Sequence, residues 1–410
     1  MHSHAVEFAQ DLLTTLLLIF VVGTAGGKLA QRLHIPDVVV FVLLGMLLGP
    51  SALHWIDIEP QSLINPVILL AGASFILFHG GMVTELRVLG RVWPSIGLLS
   101  TAGVVVTALI VAAATHWMVH VPFLLALLLG AIVASTDPAS LVPIFGRFPI
   151  RPRVAQTVIS ESAFTDATGA ILTTVVFGIL SHTTKASAGS ILLEFLQLAV
   201  GGIVVGGVIG GVTAFLISEN DRGLLREFTP MAVVISVLAS YLIAEHLHAS
   251  GFMSVFTAGL AVGNAKSFRL TILPEQERAA HEFIEAVGLK FRMLIFVLLG
   301  SQVDFGILQK YGWQAVVLAI VFMFIARPLT VMSSLLPDWR AKWQRNELLF
   351  FCWTRETGVV AAALVGMVTS SDLPQASFLS AAVFVMILAT LLVQASTTPT
   401  LAKRLHLLEE

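Results

Sequence analysis

Long uncharged apolar runs decide what this chain can fold into. LLTTLLLIFVVGTAGG from Leu12, SIGLLSTAGVVVTALIVAAA from Ser95 and FLSAAVFVMILATLLVQAS from Phe378 each approach the ~20 residues that carry a helix across a bilayer. Inside hydrocarbon every backbone N–H and C=O must be paired within the protein, which leaves helices or a closed barrel. Barrel strands alternate apolar and polar residues, and these runs do not, so the expected fold is an all-α polytopic membrane protein. Composition agrees, with 57% of the 410 residues hydrophobic and 12% charged, against about 25% charged in soluble domains. The single cysteine, Cys352, excludes an internal disulfide framework. MHSHAVEFAQD at the start has no basic n-region, so the first span is expected to be retained rather than cleaved. The net charge of −2 says nothing about partners; membrane lipids are expected, nucleic acid is not.

Apolar runs between polar breaks give thirteen spans, at 11–31, 37–50, 63–81, 92–118, 121–146, 150–181, 189–217, 229–247, 251–265, 277–303, 312–336, 346–370 and 375–401. Loop charge tests this count, because short cytoplasmic loops hold the Lys and Arg excess. Every second loop, counted from the one with Lys28 and Arg32 and ending with Lys403 and Arg404, together carries 17 basic residues; the opposite loops carry Lys185 and Lys310. A wrong count would scramble that alternation. It puts the amino terminus outside and the carboxyl terminus in the cytoplasm. Of the remaining basic residues, Lys290 and Arg292 precede MLIFVLLG in the tenth span and read as an inner-edge collar. Arg327 and Arg355 lie deep inside spans, where a charge is costly and by default paired or functional.

The second span contains VFVLLGMLLGP and the ninth VFTAGLAVGN, each with Val-Phe, then Gly-xxx-Gly, then a helix-stopping Pro or Asn. The two run in opposite directions, which suggests an inverted repeat of spans 1–6 and 8–13. Helix packing through small residues would give the same pattern. The repeat makes the fifth span correspond to the twelfth, and both are interrupted, by ASTDPAS and CWTRETG. Pro138 lacks an amide hydrogen and disfavours helical geometry at Asp137, so the fifth helix should break near Thr136. Irregular backbone at that depth survives only when packed in protein or lining a wet cavity, and half-helix ends are where transporters hold small ions. A merely kinked structural helix is the alternative.

The sixth span puts SESAFTDATGA into an otherwise apolar run. Ser162 and Asp166, four apart, share a helix face. Glu161 and Asp166 diverge by ~140°, which argues against a catalytic carboxylate pair. Glu161 shares its stripe with Thr165 instead. This divides the labour: Glu161 is held by a cation within the protein, with Arg327 the leading partner and Arg355 the second, while Asp166 faces a substrate path. A carboxylate in a poorly solvated cavity is where a proton and a metal ion compete. The oxygens of Asp166, Ser162, the carbonyls near Thr136 and Asp137 suit a hard monovalent cation. Either guest neutralises Asp166, and mutually exclusive occupancy at one mobile site is sufficient for exchange.

STDPASLVPIF followed by ESAFTDATGA resembles the NhaP-type sodium/proton antiporters of the monovalent cation:proton antiporter superfamily, the branch that includes the animal sodium/hydrogen exchangers. The resemblance covers essentially the whole chain. It implies that Asp166 is the ion- and proton-carrying carboxylate, with Asp137, the Thr136 carbonyl and Ser162 as ligands. It implies a structural ion pair of Glu161 with Arg327, no cofactor, and a homodimer. Within a single membrane domain, 1–410, a core of 92–181 and 312–401 would move against a scaffold of 11–91 and 189–303. The chain departs from the family at Thr165, where this branch usually has Asn; a single carboxylate still favours electroneutral one-for-one exchange, but ion selectivity is left open. His79 stands where relatives often place an acid, as a pH sensor or as a packing histidine. Glu356 stands beside Arg355 and could form its own charge pair. The chain stops soon after the last span, without a long regulatory tail or truncated ahead of one.

The expected function is therefore Na+ (or Li+)/H+ antiport, not enzymatic catalysis, in the plasma membrane of a prokaryote. Potassium/proton antiport is the rival within the fold. A channel would need a continuous polar path. An intramembrane protease would need a nucleophile or a paired-aspartate motif, against which the short gap between the two motifs and the Pro138 break both argue.

Overall fold

The computed structural model describes residues 2–33, 35–58, 62, 64–136, 150–181, 188–219, 223–369, 373 and 375–408. Asp137 and Pro138 lie outside them. The described chain is helical, apart from loops and one isolated antiparallel bridge between Ile150 and Leu408. The helices are α1 (His2–Leu33), α2 (Asp37–Leu48), α3 (Ile64–Val83), α4 (Leu86–Leu98), α5 (Val104–Val119), α6 (Phe123–Val133), α7 (Pro152–Leu180), α8 (Ala188–Ile217) and α9 (Thr229–His246). They continue with α10 (Gly251–Gly263), α11 (Pro274–Ser301), α12 (Phe305–Val321), α13 (Arg327–Leu335), α14 (Arg345–Trp353), α15 (Val359–Thr369), α16 (Ala376–Ala389) and α17 (Ser396–Arg404). Wider π-helical turns at Leu99–Gly103, Phe322–Ala326 and Thr390–Ala395 join α4 to α5, α12 to α13 and α16 to α17. Eight of the resulting helices are long and apolar enough to cross a membrane, and four shorter ones, including α2, α6 and α10, are apolar.

The burial pattern suits lipid as the outer solvent. α8 turns Leu192, Leu193, Leu196, Val200, Val204 and Val208 outward, while Glu161, Asp166, Arg327, Arg355 and Glu356 are all buried. Backbones approach closely where Gly removes a side chain. A Cβ at Gly45 of α2 would stand 2.2 Å from the Val297 carbonyl of α11, and one at Gly259 of α10 would stand 2.1 Å from the Phe78 carbonyl of α3. The VFVLLG and VFTAGL segments thus each lie flat against a neighbouring helix.

A second, smaller cluster closes one end of the bundle, with Leu99, Ile150, Val154, Leu335, Phe350 and Leu407 among its buried members. Here Ser95 donates to Asp338 at 2.5 Å and Trp343 Nε1 donates to Ser95 Oγ at 2.9 Å. Arg153 lies over the Trp343 ring, 4.0 Å from its centroid. The Arg151 amide donates to the Leu407 carbonyl at 3.0 Å, so the end of the described chain is fastened to the start of α7.

Candidate ion site

α6 is an apolar helix of 11 residues that ends at Val133, and Ser135 and Thr136 follow in non-helical backbone, both buried. Beside this end runs α7, with Pro152 in its first turn, where a missing amide hydrogen costs nothing. Glu161, Ser162, Thr165 and Asp166 are all buried on it. Three short hydrogen bonds join the two elements or knit α7 beside them. Ser162 Oγ donates to the Thr136 carbonyl at 2.5 Å. The Thr136 and Thr165 hydroxyls are 2.6 Å apart, and Thr165 donates to the Ser162 carbonyl at 3.0 Å. Ser162, Thr165, Asp166 and the end of α6 therefore form one buried, oxygen-rich locus. Asp137 is the member of the expected ligand set that lies outside the described residues.

Glu161 points elsewhere. Its carboxylate receives both terminal nitrogens of Arg327, with Nη1 on Oε1 and Nη2 on Oε2 at 2.9 Å. This fork-to-fork geometry is the strong form of the pair. Arg327 also donates from Nε to the Phe351 carbonyl at 2.7 Å and from Nη2 to the Thr354 carbonyl at 3.0 Å. Those carbonyls belong to the end of α14, beyond which residues 354–358 are non-helical and buried before α15 begins. A guanidinium there answers the partial negative charge of a helix carboxyl end.

Arg355 does the same at the end of α6. Its Nη2 donates to the Ala134 carbonyl at the end of α6, at 2.6 Å, and its guanidinium lies 5.1 Å from the centre of the Phe322 ring. Of the two arginines weighed as partners for Glu161, the structure puts Arg327 on the carboxylate and Arg355 on a helix end. The ends of α6 and α14 thus each meet an arginine that comes from another part of the chain. Glu356 is buried next to it. His79 is half-buried on α3, within electrostatic reach of Arg292 and His281 on α11.

Sequence reasoning missed the opposite face of the second break. The Thr357 amide donates to Thr390 Oγ1 at 3.3 Å, and Thr390 opens the π-helical turn that also carries the fully buried Gln394. Neither side-chain amide atom of Gln394 meets a partner among the described residues. The signal was present as two polar residues four apart in ATLLVQAS. It was masked by reading the run as one uninterrupted span. Among the described residues no three His, Cys, Asp or Glu side chains converge.

A family model described as "Sodium/hydrogen exchanger, transmembrane" matches residues 16–404. The chain belongs to the sodium/hydrogen exchanger family. It is 30% identical over 366 residues to a probable Na(+)/H(+) antiporter 2 of Methanocaldococcus jannaschii, covering 86% of this chain and 83% of that one. It is likewise 30% identical over 395 residues to the K(+)/H(+) antiporter NhaP of Alkalimonas amylolytica, covering 95% of this chain and 66% of that one. The solved structure of the sodium proton antiporter MjNhaP1 of M. jannaschii at pH 8 superposes with a TM-score of 0.86 at 28% identity, covering 96% of this chain and 99% of that one. Members of the exchanger family are membrane transporters, and this chain is a multi-pass membrane protein among them.

Proposed function

We propose that the protein exchanges Na+ (or Li+) for H+ across the membrane by alternating access, one cation for one proton, with Asp166 as the shared carrier. The observation that carries this reading is the division between two neighbouring acids. Arg327 neutralises Glu161 through both carboxylate oxygens, whereas Asp166 stands one helical turn from Ser162, whose hydroxyl meets the Thr136 carbonyl at the broken end of α6. The cation would be held by Asp166, Ser162, the Thr136 carbonyl and Asp137. One titrating carboxylate makes the exchange electroneutral. The names of two relatives, an Na(+)/H(+) and a K(+)/H(+) antiporter, keep potassium as the second reading, and the hydroxyl of Thr165 in place of an amide favours testing both.

The same reading takes thirteen spans with the amino terminus outside, in two inverted six-helix repeats. Three observations support it. α2 lies on α11 through Gly45, and α10, its counterpart, lies on α3 through Gly259. The fourth and eleventh spans both carry a π-helical turn. The end of α6 and the end of α14 each receive an arginine. A moving core of 92–181 and 312–401 is supported by the bonds that cross between these segments, including Thr107 with Thr330 at 2.7 Å and Ser95 with Asp338 at 2.5 Å. The remaining spans, 11–91 and 189–303, would be the scaffold of a homodimer.

The test is proton flux in proteoliposomes on addition of Na+, Li+ or K+, with and without an imposed voltage. Sodium- or lithium-driven proton release that ignores voltage is the expected result. Flux driven by voltage with no cation dependence would overturn exchange, and a response to K+ in place of Na+ would select the second reading.

A further inference from the structure

The hydroxyls at the α6–α7 junction form one connected set. Thr165 Oγ1 stands 3.0 Å from the Ser162 carbonyl, which can only accept, and 2.6 Å from Thr136 Oγ1, which can donate or accept. With the Thr165 hydrogen on the carbonyl, Thr136 is the donor in the hydroxyl pair and both contacts are satisfied. The Ser162 hydrogen goes to the Thr136 carbonyl at 2.5 Å. Thr136, Thr165 and Ser162 close a ring in which every hydroxyl hydrogen is used, and the ring ties the loose end of α6 to the middle of α7. What it leaves for a guest is oxygen lone pairs.

We propose that Thr165 is a positioning residue of the cation site, holding the Thr136 end of α6 while the Ser162–Thr136 hydrogen bond opens to admit the ion. The proposal rests on the antiport reading above. A single cation bound by both Ser162 Oγ and the Thr136 carbonyl must separate them, because two ligands of one ion stand farther apart than two hydrogen-bonded oxygens. The Ser162 hydrogen then swings away and the ring loses that side. The Thr136–Thr165 bond uses neither of those ligand atoms, so it persists and keeps the carbonyl in place. A proton arriving on Asp166 leaves the ring closed. Cation loading and proton loading thus differ in the state of one buried hydrogen bond, and Thr165 sets how far the open form relaxes. Without its hydroxyl, Thr136 would lose its acceptor, and the end of α6 would be ordered only at the moment the ion binds, which weakens cation affinity and leaves turnover intact.

Apparent KM and maximal rate for Na+ across a pH series, in proteoliposomes under an imposed pH gradient, read this directly. Thr165→Val, which keeps the shape and removes the hydroxyl, is expected to raise KM roughly tenfold, the loss expected for one buried hydrogen bond, with maximal rate within about twofold of the unaltered protein. Thr165→Ser restores the donor and acceptor and is expected to recover the original KM. Thr136→Val removes the other hydroxyl while leaving its carbonyl, and in combination with Thr165→Val is expected to add nothing to the single change. An unchanged KM in Thr165→Val, or a Thr165→Ser protein as impaired as Thr165→Val, overturns the role given to Thr165. So do additive effects of the Thr136 and Thr165 changes; if Thr165→Val does not fold, Thr136→Val alone decides, because it breaks the same hydroxyl pair and an unchanged KM there overturns the role. Silence of the unaltered protein towards every cation would instead defeat the antiport reading.

Discussion

Arg327 binds two carboxylate oxygens and two main-chain carbonyls at once, from a position where the guanidinium is fully buried. Removing one partner of such a pair leaves the other charge stranded, which costs about 3–5 kcal/mol. Arg327→Ala is therefore expected to lower the thermal unfolding temperature and the yield of folded protein. A variant that melts like the original would show that Glu161 is satisfied without it. Asp166→Asn is expected to behave in the opposite way, with exchange lost in proteoliposomes and the melting temperature kept. Transport by that variant would remove Asp166 from the carrier role. The sequence offered few choices for the deep charges, with two arginines and a handful of acids in apolar runs, so Glu161 was left with two candidate partners, of which the family resemblance favoured Arg327. It held no information on main-chain acceptors, and that is why the grip of Arg327 on Phe351 and Thr354, and of Arg355 on Ala134, emerges only from the folded chain.

At the scale of helices, long apolar runs and loop charges made most elements legible, since span length and charge placement follow from the bilayer. The π-helical turns were not, because an extra residue in one helical turn leaves no trace in composition. Leu99–Gly103 and Phe322–Ala326 read as ordinary span, yet the second of them ends where Arg327 begins and so aims that side chain. The repeated Gly-xxx-Gly segments were legible, but which helix each one touches was not. Gly45→Ala tests such a contact, since its new methyl group would stand 2.2 Å from the Val297 carbonyl. Backbone cannot yield as a side chain can, and overpacking of this kind costs about 1–3 kcal/mol. A lowered melting temperature is expected for Gly45→Ala. Gly207→Ala, on α8 with open space around it, is expected to leave melting unchanged.

For the molecule as a whole, the proposed single carrier acid would limit transport from both sides of the pH scale. In acid, protons would hold Asp166 and exclude the cation; in alkali, the cation would hold it and the returning proton would become scarce. Rate against pH should form a bell, and raising Na+ should shift its acid limb to lower pH. A monotonic profile measured by vesicle fluorescence would count against a shared site.

The Ile150–Leu408 bridge and the bond from Arg151 to Leu407 fasten the final stretch of the described chain to the helix that bears Asp166. Any domain, tag or binding protein attached beyond that stretch would have a mechanical handle on α7. Pulling the anchored segment free would slacken α7 at its root, about four helical turns from Asp166.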